Sequence, residues 1–263
     1  MKKASFAVFT LFMMLAALLR APDVHADSSA TANGSSSISS ACGVTESDLV
    51  AIKTIQDNTS LSYADELQQE LAVRRNLLSK TIQCAKTGAE QDKTAIDNSK
   101  VSSNLESLKN QWSDKLDSAI SYYDLQLQKI NGTGISGTEA IAREVFTWRQ
   151  NNYAPLAENV SNFIMWSDNQ GLFTTAQNRL AQINNLTDSA LFSQNADVQN
   201  DYEEAAVSLK TAEDQNTAAQ NAFAQSLAPD QTLSLIKQSL DSLSSTYQHF
   251  FDVSNLIQSL LPH

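Results

Sequence analysis

From Leu172 to Ala228 the chain contains neither glycine nor proline, and only 7 glycines and 4 prolines occur in all 263 residues. Strands need turns every few residues, and turns need those two residue types. No segment shows the alternating, β-branched, turn-bounded pattern of a strand. A chain with so few backbone breakers folds into long helices. The expected class is all-α: an elongated antiparallel bundle of about six long helices with coiled-coil-like packing.

The sparse punctuation places the elements. Thr45-Glu46-Ser47-Asp48 opens a short helix over 45–57, and Asp57-Asn58-Thr59-Ser60 closes it. A second helix is expected over 61–87, with Gly88 as its stop. A third runs over 90–130 on Val101, Leu105, Leu108, Trp112, Leu116, Ile120, Tyr123 and Leu127, spaced by threes and fours. "NGTGISG" at 131–137 is the clearest loop and a possible sub-boundary within a bundle domain over 42–263. Thr138-Glu139 starts the next helix. Breaks are expected near 184–188 or 193–197, then a helix over 198–227. Pro229 suits the first turn of the last helix, where its missing N–H costs nothing. Leu233, Ile236, Leu240, Leu243, Tyr247, Phe250, Ile257 and Leu261 form a stripe there, failing at Ser254. That stripe makes a homodimer through 233–261 one possible assembly.

Residues 1–26 have the layout of a secretory signal peptide. Lys2-Lys3 precede an apolar run from Phe6 to Leu19, and Val24-His25-Ala26 suits a cleavage site. The run is shorter than the roughly 20 residues a membrane span needs, so no membrane insertion of the mature chain is expected. The Ser-rich 27–41 that follow carry too little apolar surface to offset ordering and read as a flexible lead-in. Losing Lys2, Lys3, Arg20 and Asp23 takes the formal charge from −11 to −13. Such a surface repels phosphate backbones and anionic headgroups, so nucleic acid is excluded as a partner. The short Lys-Lys leader points to a secreted or periplasmic, cell-envelope location in a bacterium. Five Asn-x-Ser/Thr sequons, at Asn33, Asn58, Asn131, Asn159 and Asn185, are of the number chance gives in so Asn-rich a chain.

Export makes Cys42 and Cys84 an expected disulfide. Its loop of about 43 residues would restrict the unfolded chain by roughly 4 kcal/mol. The helix lengths require the first two helices to be staggered for the two sulfurs to meet.

Residue content argues against most catalytic chemistry. His249 and His263 are the only histidines beyond the leader, which disfavours Ser–His–Asp or Cys–His catalysis. No HExxH or Glu-x-x-His occurs, so neither a metal nor another cofactor is expected. "GTGISG" follows a helix and is a turn rather than a phosphate cradle. The densest carboxylates are Asp65, Glu66 and Glu70, and Asp201, Glu203 and Glu204. They read as solvated helix faces, with a carboxylate-only hydrolase as the third-ranked function. His249 reads as a helix-surface residue.

One stretch concentrates aromatics: "TWRQNNYAPLAENVSNFIMWSDNQ" over 147–170. Ile141, Val145 and Trp148 share one helical face; Tyr153, Leu156, Val160 and Phe163 share another, one residue out of phase. Pro155 removes a helical hydrogen bond and clashes with the Asn151 carbonyl, so a kink or short break there would realign the stripes. Trp166 fits the core face least well. Trp148, Arg149, Asn152, Tyr153 and Trp166 are therefore the candidate binding surface, if Trp166 points outward.

These features together favour an exported, non-enzymatic helical bundle for protein–protein interaction or scaffolding at the envelope, with another envelope or extracellular protein as partner. The runner-up is a soluble extracytoplasmic ligand-binding or sensor bundle using the Trp148–Trp166 region.

Overall fold

The computed structural model describes residues 44, 46–101, 103–187 and 195–260. The signal-peptide and lead-in expectations, and Cys42, fall outside them. The described residues form α1 (Glu46–Asp57), α2 (Tyr63–Asn98), α3 (Ser103–Ile130), α4 (Ile135–Trp148), a π-helical turn (Arg149–Tyr153), α5 (Ala154–Thr187), α6 (Ala196–Ala224) and α7 (Pro229–Leu260). With α4, the π-turn and α5 counted as one rod, there are six, and the all-α bundle expected from the sequence is what forms. Among the described residues no helix is long and apolar enough to cross a membrane.

Two compact units divide the chain. Of the described residues, the first takes those up to 98 and over 109–160; the second takes those over 99–108 and from 161 to 260. The division falls inside α3 and α5, and the 131–137 loop lies within the first unit.

Several helix ends differ from expectation. Gly88 does not stop α2, which runs ten residues further to Asn98. A Cβ on Gly88 would lie 3.5 Å from the Tyr153 hydroxyl, an ordinary contact, so this glycine is an interior helix position facing a neighbour. The break comes instead after Asn98, over 99–101, within the Ser/Lys run. Helix α4 begins at Ile135, three residues before the expected Thr138, with Gly134 as its extended N-cap. Gly137 sits in that first turn because a Cβ there would meet the Thr133 Cβ at 2.7 Å. At α6 the expected cap is present: Asn195 accepts from the backbone N–H of Asp197 and Val198.

In the first unit, Val44, just ahead of α1, and Ile52 of α1 pack on Leu77 and the partly buried Val73 of α2. Lys80 on α2 reaches both carboxylate oxygens of Asp48 at 3.2 Å. Arg75 donates to the Thr133 carbonyl, which ties α2 to the loop before α4. Cys84 lies half-buried on α2, and no free cysteine occurs among the described residues.

In the second unit, α6 and α7 are the most extensively paired elements. Four residues, Gln225 to Ala228, reverse the chain between them. Leu227 N–H bonds the Ala222 carbonyl and Ser226 N–H bonds the Phe223 carbonyl, the pattern of a Schellman cap. Ser226 takes the left-handed conformation, φ 53°, that glycine usually supplies. Pro229 opens α7, as expected.

The seam between these helices corrects the stripe read from the sequence. The buried positions of α7 are Thr232, Ile236, Ser239, Leu243, Thr246, Phe250 and Val253, a strict alternation of fours and threes. Leu233, Leu240 and Tyr247 flank that seam and are half-buried. Opposite it α6 contributes Val198, Ala205, Leu209, Ala212 and Ala219. Small side chains let the backbones approach, and the polar ones bond to backbone: Ser239 Oγ donates to the Ala212 carbonyl and Thr246 Oγ1 to the Ser242 carbonyl. Leu243, Phe250 and Val253 then join Phe173, Ala176 and Ile183 of α5 in one core. Ile236, Leu243 and Phe250 of the expected stripe are thus spent on packing within the chain, Leu233, Leu240, Tyr247 and Ile257 are half-buried, and Leu261 lies outside the described residues.

Candidate functional site

The π-turn answers the phase slip in the aromatic stretch. Buried residues along this rod include Val145, Arg149, Tyr153 and Ala157, three successive steps of four. In an α-helix those twelve residues would drift about 120° around the axis at 100° each. One extra residue in the turn removes about 100° of that drift, so all four stay on one face. The Ala154 N–H bonds the Arg149 carbonyl, five residues back. Instead of breaking at Pro155 the helix widens just before it, and the widened turn takes up the ring whose N–H is missing.

What the turn delivers is a buried polar and aromatic cluster in the first unit. Arg149 is 4 % exposed, with its guanidinium carbon 4.9 Å from the centre of the Tyr153 ring. The Tyr153 hydroxyl donates to Asp92 Oδ2 on α2 at 2.7 Å. Burial raises the Asp92 carboxyl above its ordinary value, while the Tyr153 hydrogen bond and the Arg149 charge pull it back down. The Tyr153 phenol is pushed up by burial and by the Asp92 charge. Tyr123 of α3 is fully buried and meets Tyr153 edge-on at 6.1 Å and Trp148 at 5.6 Å. Trp148 stacks on Tyr122, centroids 3.9 Å apart and 15° from parallel. Burial and the nearby Glu144 push the Tyr122 phenol up to about 12. Gln126, wholly buried, donates to Glu144 at 2.8 Å.

Each member of the proposed binding surface can now be placed. Arg149 and Tyr153 are buried, and Trp148 is half-buried under its stack with Tyr122. Asn152 is exposed but turns back to donate to the Trp148 carbonyl at 3.0 Å. Trp166 belongs to the second unit, is 4 % exposed, and packs against Phe163 and Phe223 with centroids 5.9 Å from each. The outward-facing Trp166 that a binding groove requires is therefore corrected to a core residue. Its side chain continues the face of Phe163 because Asn162, Phe163, Trp166 and Ser167 are all buried, a wide stripe rather than a single line. Asn162 donates to the Pro229 carbonyl and Ser167 to the Lys100 carbonyl, so polar residues complete that stripe.

The carboxylate groups divide in the same way. Asp65 exchanges bonds with Ser62 as the start of α2, a helix cap. Glu70 is buried and paired with Arg74 one turn on at 2.6 Å. Asp201 and Glu204 instead converge with His249 across the α6–α7 seam, their nearest ligand-type atoms all lying within 4.8 Å of one another. Burial, and then the Asp252 charge, hold the Asp201 carboxyl above its ordinary value; the Glu204 and Asp197 charges act the same way and His249 opposes them. Sequence reasoning takes His249 in isolation and so misses this meeting. The available signal is Asp201-x-x-Glu204 on one helix face, but its partner lies 45 residues on, across a hairpin.

A second feature not foreseen is an open groove of about 540 Å³ between α5 and α6, lined by Gln177, Leu180, Asn184, Tyr202, Lys210 and Glu213 among others. Compared with known proteins, the chain matches no family model, no curated protein and no solved structure.

Proposed function

We propose that this chain is an exported, non-enzymatic helical bundle that acts by protein–protein interaction or scaffolding at the cell envelope. The observation that carries the reading is where its side chains are spent. The arginine, phenols and indoles of the aromatic stretch are taken up in the two cores, while large apolar side chains stand exposed on helix faces: Tyr63 at 75 %, Val207 at 67 % and Phe251 at 61 %. Isolated aromatic and aliphatic anchors on an acidic, amide-rich surface suit a partner protein better than a small substrate. The leader-like N-terminus and the two cysteines support export with a Cys42–Cys84 disulfide.

The test places a photo-crosslinking amino acid at Val207, Phe251 or, as control, the exposed Lys237 in the full chain expressed in a bacterial host. A discrete adduct from the apolar positions and none from Lys237 is expected. Equal labelling at all three, or none, overturns the reading. N-terminal sequencing of exported protein should begin at Asp27, and peptide mapping without reductant should recover Cys42 joined to Cys84.

The groove between α5 and α6 favours a second reading, a ligand-binding bundle. Its amides, Tyr202 phenol and Lys210–Glu213 rim suit a polar ligand stacked on one ring. Leu180→Trp would fill it, and loss of ligand capture without loss of the helical signal would support this alternative.

A further inference from the structure

We propose that Asp201, Glu204 and His249 form a divalent transition-metal site, best suited to zinc, that clips α6 to α7. The two carboxylates stand three residues apart on α6 and so share a face, and His249 meets them from α7. His249 Nδ1 lies 3.4 Å from Glu204 Oε2. That is long for a hydrogen bond, whose heavy atoms sit about 2.7–3.2 Å apart. It is close to the spacing of two ligands on one zinc: bonds of about 2.0–2.1 Å at a tetrahedral angle put them roughly 3.3 Å apart. A second observation concerns the imidazole itself. Nδ1 is shielded from solvent and makes no hydrogen bond, so the imidazole directs an unsatisfied polar atom at the carboxylates.

The donor set selects the cation. Calcium and magnesium take oxygen ligands, and an imidazole among the donors turns preference toward zinc and its first-row neighbours. Two carboxylates neutralise the double charge. Asp197 and Asp252 add to the negative field at Asp201, and Gln248 holds Asp252 in place through bonds of 3.1 and 3.3 Å. Three protein ligands leave a fourth position for water or for a side chain of a bound partner. The bound ion ties the two helices together near the end of their seam, far from the four-residue turn that joins them.

The experiment uses the untagged full chain, stripped with chelator and titrated with zinc chloride by calorimetry and by thermal melting. One zinc per chain in the micromolar range is expected, with a melting temperature several degrees higher at saturation. His249→Gln and Asp201→Asn should each weaken binding on the order of 100-fold and abolish the zinc-dependent shift. Melting of both variants without metal shows whether they fold. His263→Gln, which removes the other histidine beyond the leader, should bind as the parent does. Cobalt in place of zinc should give the visible bands of a four-coordinate site, absent in His249→Gln. The proposal is overturned if the parent binds no zinc, if His249→Gln binds as tightly as the parent, or if millimolar magnesium displaces the zinc. Those results would leave an ion pair between His249 and Glu204, or general attraction of cations to acidic helices.

Discussion

The two units of this chain solve the problem of packing long helices in opposite ways. The first keeps polar groups inside and pairs them with one another: Tyr153 with Asp92 and with the Arg149 guanidinium around a π-turn, and Glu70 with Arg74. The second removes bulk. Ala205, Ala212 and Ala219 face Ser239 and Thr246, and large aromatics cluster at Phe163–Trp166–Phe223. A polar core depends on complete pairing, since one missing partner leaves a buried group unsolvated. A small-residue seam depends on close approach, and fails when something larger is inserted. The difference predicts which substitutions each unit cannot absorb.

The largest effect should come from Trp166→Ala, a cavity in the aromatic cluster of the second unit, costing about 3–5 kcal/mol in urea unfolding. Retention of parental stability would return Trp166 to the surface and revive the binding-groove reading. Arg149→Ala tests the first unit's side of the comparison and should cost on the order of 3 kcal/mol, the penalty for breaking a buried charge cluster. Trp112 and Trp148 report unfolding of the first unit and Trp166 that of the second, so variants carrying only one set of indoles would show which unit yields. Ala212→Leu adds volume where α6 meets Ser239, and should cost about 1–3 kcal/mol, while Val207→Leu on the exposed face of α6 should cost almost nothing.

The pH dependence sharpens the contrast further. Asp92 has a folded value raised above the ordinary 3.8 by burial. The unfolded chain therefore releases this proton first, and the contribution of Asp92 to stability is fully present below about 3.8 and lost as pH rises through its folded value. Asp92→Asn keeps an acceptor for Tyr153 and should flatten that loss across the mildly acidic range, measured as unfolding free energy against pH. An unchanged slope would show that the carboxyl is not desolvated. The smallest effects concern backbone. Ser226→Gly should stabilise the hairpin by roughly 1 kcal/mol, because only glycine takes φ 53° without cost. Gly88→Ala should gain about 0.5–1 kcal/mol in the middle of α2, where the new methyl meets only the Tyr153 hydroxyl. A loss at Gly88 would mean that its hydroxyl neighbour cannot yield.

Much of the fold is legible in the order of residues. Gly and Pro scarcity with threefold and fourfold apolar spacing leaves helices as the expected regular element, and Pro229 and Ile130 fall at helix ends as expected, while Asn195 caps a helix inside the break expected over 193–197. The departures share a cause. Residue type marks Gly88 and Ser254 as interruptions, whereas their neighbours decide: α2 passes through Gly88, and the α7 seam steps to Val253. Counting only large apolar residues hides a heptad seam made of Ala, Ser and Thr. Those residues are buried because another backbone comes close, and closeness belongs to the partner helix.

The amino-acid sequence alone determined the helical class, the one-residue slip in the aromatic stretch and the scarcity of histidine, because period and residue type are local properties. Only the tertiary structure decided that the slip becomes a π-turn aiming Arg149 at Tyr153 beside Asp92, that Trp166 is core, and that His249 stands beside Asp201 and Glu204. Each of those rests on a contact between residues far apart in the chain, Tyr153 with Asp92, Trp166 with Phe223 and His249 with Glu204, set by which helix faces bury one another, and no periodicity within a single helix contains it.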